Sequence, residues 1–161
     1  MKPDELEKVI NEAFENKLNV SENSDKKILN AISETIELTD KGNLRVAEKK
    51  NGVWSVNQWV KKAILLSFRV NKMTMSKGPY TTWYDKVPGK SVTWNENDWK
   101  EAGYRHVPNG VVRKGSFIGK NVVLMPCFVN LGAYVDEGTM IDTWATVGSC
   151  AQIGKNCHVS G

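Results

Sequence analysis

The sequence predicts an α+β fold in which a mainly helical domain with a β-hairpin, residues 1–104, precedes a parallel β-helix, residues 105–161. Three observations support this prediction. Apolar residues recur at helical spacing in three early segments, an Asn-Gly pair separates two apolar runs, and large apolar residues recur every six positions from Val111 to Val159. A period of six does not fit a helical turn, but it suits short strands that turn corners with one inward side chain each.

Three amphipathic helices are predicted before residue 71. The first begins behind Pro3, where proline and acidic residues favour a helix N-terminus. The second can be capped by Ser24 or Asp25 and should end before Gly42. The third covers residues 57–70 and is mostly apolar. These helices need a partner surface, which the following elements can provide.

Three further features complete the region before the repeat. Asn51-Gly52 is a strong signal for a two-residue hairpin turn between residues 44–50 and 53–56. Residues 71–91 have no sustained periodicity, so we expect an irregular connection with room for a short strand. Asn95 can cap a short helix that Gly103 ends.

The six-residue repeat predicts under three coils of a β-helix. We expect nine inward side chains, namely Val111, Phe117, Val123, Val129, Val135, Ile141, Val147, Ile153 and Val159. Turn formers should mark the corners at Pro126, Gly132, Gly138 and Asn156, whereas Trp144 and Cys150 break that pattern. The repeat continues to the last residues without a capping element, so we expect the chain to be truncated at Gly161.

Composition argues against several classes of function. The net charge of +4 is spread along the chain and interleaved with acidic residues, so no nucleic acid partner is expected. No signal peptide and no run of about 20 apolar residues is present, so we expect a cytoplasmic protein with no membrane contact. Three cysteines without a C-x-x-C pair favour reduced packing residues over disulfides.

Candidate chemistry lies on outward positions of the repeat. Asp136 and Asp142 each follow an inward residue, and an eighteen-residue coil would place Asp142 between Leu124 and Ser160, without a carboxylate neighbour and open to an external amine. The alternative is an aspartate that binds turn amides. His106 and His158 are the only histidines, so a three-histidine zinc site and any metal centre are not expected. His158 could act as a general base or simply be solvated, and no nucleophile motif is present.

The segment Tyr134–Asn156 resembles the tetrahydrodipicolinate N-succinyltransferases of the hexapeptide-repeat acyltransferase family. Residues 44–49, 61–69, 84–88 and 122–132 are also similar, so the resemblance covers nearly the whole chain. It implies a left-handed β-helix, an exception to right-handed crossovers. It also implies a homotrimer with active sites between neighbouring subunits.

The resemblance further implies transfer of succinyl from succinyl-CoA to the amine of ring-opened tetrahydrodipicolinate, in diaminopimelate and lysine biosynthesis. The family's arginine before the repeat corresponds to Arg105, which would hold a substrate carboxylate, and its aspartate in the Met-aliphatic-Asp-Thr-Trp motif corresponds to Asp142. Asp142 would bind the amine and accept its proton. Direct attack without a covalent enzyme intermediate is expected, and succinyl-CoA is a co-substrate, not a bound cofactor.

Family members continue past the position of Gly161, and those coils carry most coenzyme A contacts. We therefore expect cofactor-binding residues mostly beyond Gly161, and little transfer by these 161 residues alone. Two alternatives stay open: another acyl-CoA-dependent hexapeptide transferase with an acetyl donor, and a non-catalytic trimeric β-helix scaffold.

Overall fold

A computed structural model describes residues 1–78 and 80–161, so Pro79 lies outside the described residues. The described helices are α1 Pro3–Glu15, α2 Lys26–Asp40, α3 Gln58–Val70 and α4 Glu96–Ala102, with a 3-10 turn at Lys17–Asn19. Asp25 caps α2 through a side-chain bond to the Lys27 amide, and Gly42 follows its end with φ +73°. These observations confirm the predicted helices.

The helical region has its own apolar core, formed where α1, α2 and α3 pack against one another. The residues at its centre that are almost fully buried are Leu6, Ile10, Ile32, Val60, Ile64 and Leu66. Leu131, from the β-helix, is 2% exposed and belongs to the same cluster. The helical bundle therefore packs directly against one side of the coils.

Two antiparallel hairpins interrupt the helices. Strands β1 Ala47–Lys50 and β2 Val53–Val56 flank Asn51-Gly52, whose φ angles are both positive, as the predicted turn requires. Strands β3 Thr74–Lys77 and β4 Thr82–Asp85 form the second hairpin, where the sequence indicated an irregular connection with room for one short strand. Trp83 and Tyr84 on β4 are exposed, so this hairpin presents apolar surface.

Residues 105–161 contain ten two-residue strands. These are β5 Arg105–His106, β6 Val111–Val112, β7 Phe117–Ile118, β8 Val123–Leu124, β9 Phe128–Val129, β10 Tyr134–Val135, β11 Met140–Ile141, β12 Thr146–Val147, β13 Gln152–Ile153 and β14 His158–Val159. They pair in parallel as three sheets, with strand orders β14-β11-β8-β5, β13-β10-β7 and β12-β9-β6. The predicted fold class, a helical α+β domain followed by a left-handed parallel β-helix, is confirmed. The division at residues 104 and 105 stays a prediction.

The prediction of which side chains point into the β-helix is wrong for the first three residues, Val111, Phe117 and Val123. Val112, Ile118 and Leu124 are the buried side chains of their strands, whereas Val111 is 45% exposed. Phe117 and Val123 are likewise the more exposed residues of their strands. The reason is a short corner: Ile141 pairs with Leu124 seventeen residues earlier and with Val159 eighteen residues later. One residue is missing between Leu124 and Val129, so the frame shifts there by one position.

The backbone conformation at the corners explains why the coil is one residue shorter between Leu124 and Val129. Corner residues with positive φ are Asn109, Gly115, Asn121, Gly132, Gly138, Trp144, Cys150 and Asn156, spaced by six except between Asn121 and Gly132. Pro126 lies in that gap, and its ring fixes φ near −65°, so the predicted corner angle is impossible there. Trp144 and Cys150 adopt the corner conformation although their side chains do not favour it. Hydrogen bonding to the adjacent coils therefore outweighs the backbone preference of these two residues for negative φ.

Candidate active site

Asp142 is the first residue after β11, and two hydrogen bonds fix its carboxylate. Oδ1 accepts from the Thr143 backbone N–H at 2.7 Å, and Oδ2 lies 3.0 Å from His158 Nε2. The Thr143 amide, and then His158, hold the pKa of the Asp142 carboxyl below its usual 3.8. Asp142 is therefore an ionised, partly exposed and oriented carboxylate at neutral pH.

His158 reaches Asp142 because of the coil register. In the parallel pairing of β11 and β14, His158 is opposite Met140, and Asp142 lies two residues further along the same outward side. Two side chains on the same side of adjacent strands, offset by two residues, can meet diagonally. A sequence separation of sixteen thus becomes a direct contact.

Arg105 begins β5 at the opposite edge of this four-stranded sheet. The paired residues Arg105, Val123, Met140 and His158 form one column along the outer face. Arg105 and His158 are exposed at its two ends. Two strand spacings separate Arg105 from Met140, which is about 10 Å. The structure thus places Arg105 and Asp142 on the same face without direct contact.

Comparison with known proteins gives a consistent result. Residues 5–70 match the family model described as the tetrahydrodipicolinate N-succinyltransferase N-terminal region. The chain is 66% identical over 160 residues to 2,3,4,5-tetrahydropyridine-2,6-dicarboxylate N-succinyltransferase of Pelagibacter ubique, covering 98% of this chain and 58% of that protein. It is 57% identical over 159 residues to the protein of the same name from Rhodopseudomonas palustris, covering 97% of this chain and 57% of that protein. The resemblance to the tetrahydrodipicolinate N-succinyltransferases is confirmed. The chain spans somewhat more than half the length of these relatives.

Asp142 is the residue to which the resemblance assigns amine binding. Its neighbours in the structure differ from those that the sequence predicted. Asp142 was expected between Leu124 and Ser160, without a carboxylate neighbour. On one side the shortened corner shifts the register, so Asp142 is adjacent to Met125, whose N–H bonds to the Ile141 carbonyl. On the other side the predicted eighteen-residue register holds, and the Asp142 carboxylate pairs with His158. For His158, the sequence left open a general base or a solvated side chain. His158 is therefore in contact with the Asp142 carboxylate, which is proposed to bind the amine.

Asp136 shows what the same local sequence does without such a partner. Its Oδ1 accepts from the Glu137 N–H at 2.8 Å, the same turn bond that Asp142 makes with Thr143. Within residues 1–78 and 80–161, no second side chain bonds the Asp136 carboxylate. The turn-binding interpretation therefore accounts for Asp136, whereas Asp142 makes an additional contact.

His106 lies on the inner side of the first coil and not at this site. It pairs with buried Leu124 and packs near the rings of Trp99 and Tyr104. Burial lowers the pKa of His106 below its usual 6.5, against the opposing effect of a backbone bond to Gly110. Over the described residues, no three His, Cys, Asp or Glu side chains are grouped as a metal site would require.

Trp144 is a feature of this surface that the sequence presented only as an irregular corner. It is 79% exposed, has φ +62° and donates its backbone N–H to the Pro126 carbonyl. An indole this exposed two residues from Asp142 can contact a substrate or a neighbouring subunit. The signal in the sequence was its position within the Met-Ile-Asp-Thr-Trp motif.

Proposed function

We propose that this protein transfers the succinyl group of succinyl-CoA to the amine of ring-opened tetrahydrodipicolinate, 2-amino-6-ketopimelate, in diaminopimelate and lysine biosynthesis. The observation that supports this most strongly is identity of 52 to 66% across 97 to 98% of the chain with relatives named for that reaction. The sequence similarity to these relatives extends over both the helical region and the coils of this chain.

Arg105 and Asp142 are the proposed substrate-binding residues. The Arg105 guanidinium can hold a carboxylate through two parallel hydrogen bonds. Asp142 presents an ionised carboxylate that attracts and orients the substrate ammonium, and it is the proposed catalytic residue of the sequence prediction. Arg105 and Asp142 lie on one face, two strand spacings apart across the sheet and two residues apart along it, so their backbones are roughly 12 Å apart.

The proposed reaction needs no covalent enzyme intermediate. A thioester is already activated, so the amine can attack its carbonyl carbon directly while both substrates are bound, and positioning supplies much of the rate. Succinyl-CoA is a co-substrate in this proposal and not a bound cofactor.

We also propose a cytoplasmic homotrimer. In residues 1–78 and 80–161, no helix combines the length and apolar character needed to cross a membrane. Val53, Trp54, Val56 and Trp144 are each more than half exposed, which is more apolar surface than isolated exposed residues account for. Contact between subunits would cover it.

The test is thiol release from succinyl-CoA with and without tetrahydrodipicolinate, using the full-length protein. Asp142→Asn should lower kcat/KM by about tenfold or more, because a charge-assisted contact to the amine is lost. Arg105→Ala should raise KM. Asp136→Asn is the matched control, since it removes the charge from an aspartate that makes the same turn bond on the adjacent face, and it should stay within about twofold. Activity of Asp142→Asn within about twofold of wild type would remove Asp142 from the proposed site.

The alternatives give different results in the same assay. An acetyl-specific transferase would release thiol faster from acetyl-CoA than from succinyl-CoA. A scaffold would release none from either donor, although Asp142 paired with His158 on an exposed face favours a chemical role.

A further inference from the structure

Arg105, the proposed carboxylate-binding residue, is placed by its backbone and not by side-chain contacts. Within residues 1–78 and 80–161, its guanidinium forms no hydrogen bond and no ion pair. Its strand, β5, lies at the edge of the four-stranded sheet and pairs with β8. The Arg105 N–H donates to the Val122 carbonyl at 2.9 Å, and the Val107 N–H donates to the Leu124 carbonyl at 2.9 Å. A two-residue edge strand with so few ladder bonds depends on the packing of its inward side chain.

That inward side chain is His106, which belongs to an aromatic cap over the first coil. The cap consists of Trp94, Trp99, Tyr104 and His106. Trp99 is central, since its ring centroid lies 4.9 Å from that of Trp94, 5.6 Å from that of Tyr104 and 5.7 Å from that of His106. The three larger rings pack with the apolar interior of the coils. Gly110 closes the other side, because a Cβ added there would lie 2.6 Å from His106 Nε2.

His106 fits this cap only as a neutral imidazole. Its Nε2 atom is buried, and among the described residues it has no hydrogen-bond partner. A protonated imidazole has two N–H donors, so protonation in place would bury a charged donor without an acceptor. Burial accordingly lowers the pKa of His106 below its usual 6.5. The charged form is more stable when the imidazole is in water, outside the cap.

We propose that His106 is a positioning residue that makes substrate binding depend on pH: its protonation drives the imidazole out of the aromatic cap, releases β5 and displaces Arg105 from the substrate carboxylate. His106 and Arg105 share a peptide bond on a strand of two residues, so neither moves alone. The inference rests on the proposed succinyl transfer and adds a control of dicarboxylate affinity. His106 takes no part in the chemical step.

The direction of the effect follows from where the proton binds better. Because the closed cap lowers the pKa of His106, the released strand binds more protons than the closed one. The closed cap is therefore favoured above about pH 6.5 and is lost as the pH falls below that value. Acidification should raise KM for the dicarboxylate, whereas kcat should not respond to His106.

The groups that face His106 do not supply a compensating charge. Burial raises the pKa of the Tyr104 phenol, so this neighbour stays neutral. Leu124 of β8 and Gly110 carry no titratable side chain. Lys90 lies behind the cap, with Nζ 5.9 Å from the Trp94 ring centroid, and it pairs with Asp40. The remaining charged side chains near α4 are exposed or bonded elsewhere, namely Glu96, Asp98, Lys100, Glu101 and Lys120.

The experiment measures kcat and KM for the dicarboxylate between about pH 7.5 and 5.5 in the full-length protein. His106→Leu keeps the cap apolar and cannot take up a proton. On acidification, the wild-type KM should rise about threefold or more beyond the rise in His106→Leu, while the kcat values of the two stay within about twofold of each other. His106→Arg carries a permanent charge and should have a raised KM already at pH 7.5. Glu101→Gln, which changes an exposed side chain of α4, should retain the wild-type profile.

The outcomes separate this inference from the proposed function. The same pH dependence of KM in wild type and His106→Leu would overturn the inference and leave the proposed function intact. Absence of transfer by wild type at pH 7.5 would overturn both. An NMR titration of the chain gives a readout without activity: the backbone amide of Arg105 and the indole of Trp99 should shift with the midpoint of the His106 imidazole, below pH 6.5. An Arg105 amide that does not follow the His106 titration would overturn the inference.

Discussion

Replacing Asp40 with alanine should strongly weaken the attachment of the helical region to the coils. Lys90 Nζ lies 2.8 Å from Asp40 Oδ2 and donates to the Asp40 carbonyl at 2.9 Å, while Asp40 Oδ1 accepts from the Gly115 N–H at 2.7 Å. The Lys90 side chain is 7% exposed, and burial lowers its pKa. This pair joins the end of α2, the segment before α4 and the first coil.

The structure predicts which of two variants, Asp40→Ala and Lys90→Met, loses more unfolding free energy. Asp40→Ala leaves a buried ammonium without its partner and a Gly115 amide without its acceptor, which costs about 3–5 kcal/mol of unfolding free energy. Lys90→Met keeps the aliphatic stem, and the carboxylate that remains is 17% exposed and still bonded to Gly115, so its cost should be below about 2 kcal/mol. For a chain of this size the first change corresponds to a Tm shift of roughly 6–20 °C.

Urea unfolding of the isolated chain, followed by tryptophan fluorescence, measures both costs. Glu96→Gln is the control, because it breaks an exposed pair with Lys100 and should change the free energy by less than about 0.5 kcal/mol. A cost for Asp40→Ala below about 1 kcal/mol, or a larger cost for Lys90→Met, would refute the reasoning that the buried ammonium depends on Asp40.

Two further predictions test the inward frame and the buried histidine. Val112→Ala should cost about 2 kcal/mol, whereas Val111→Ala on the outer side should stay within about 0.5 kcal/mol; equal costs by urea unfolding would contradict the corrected register. Burial makes the folded-state pKa of His106 lower than its unfolded value of 6.5, so the unfolded chain binds more protons and stability falls as pH drops below about 6.5. His106→Leu should reduce this loss, measured as the Tm difference between about pH 7.5 and 5.5, and His158→Leu, which changes an exposed side chain, should retain it.

Local chemistry predicted most elements because it acts over a few residues. The Asp25 cap, the Asn51-Gly52 turn and the Gly103 helix end each depend on the backbone preferences of one or two side chains, and each is found where the sequence placed it. The second hairpin, residues 74–85, was missed because residues 71–91 show no sustained alternation of apolar and polar residues. The frame error at Val111 arose because a constant period was assumed across Pro126.

For the candidate site, the sequence by itself determined Asp142 as an outward charged residue of the six-residue repeat, and the resemblance assigned Arg105, just before the repeat. Only the tertiary structure decided what they meet. The contact between Asp142 and His158 depends on the number of residues in each coil, and one residue fewer at Pro126 changes every earlier neighbour. Register is a property of stacked coils joined by ladder hydrogen bonds, so it is fixed by the sum of the corner lengths and not by any single side chain.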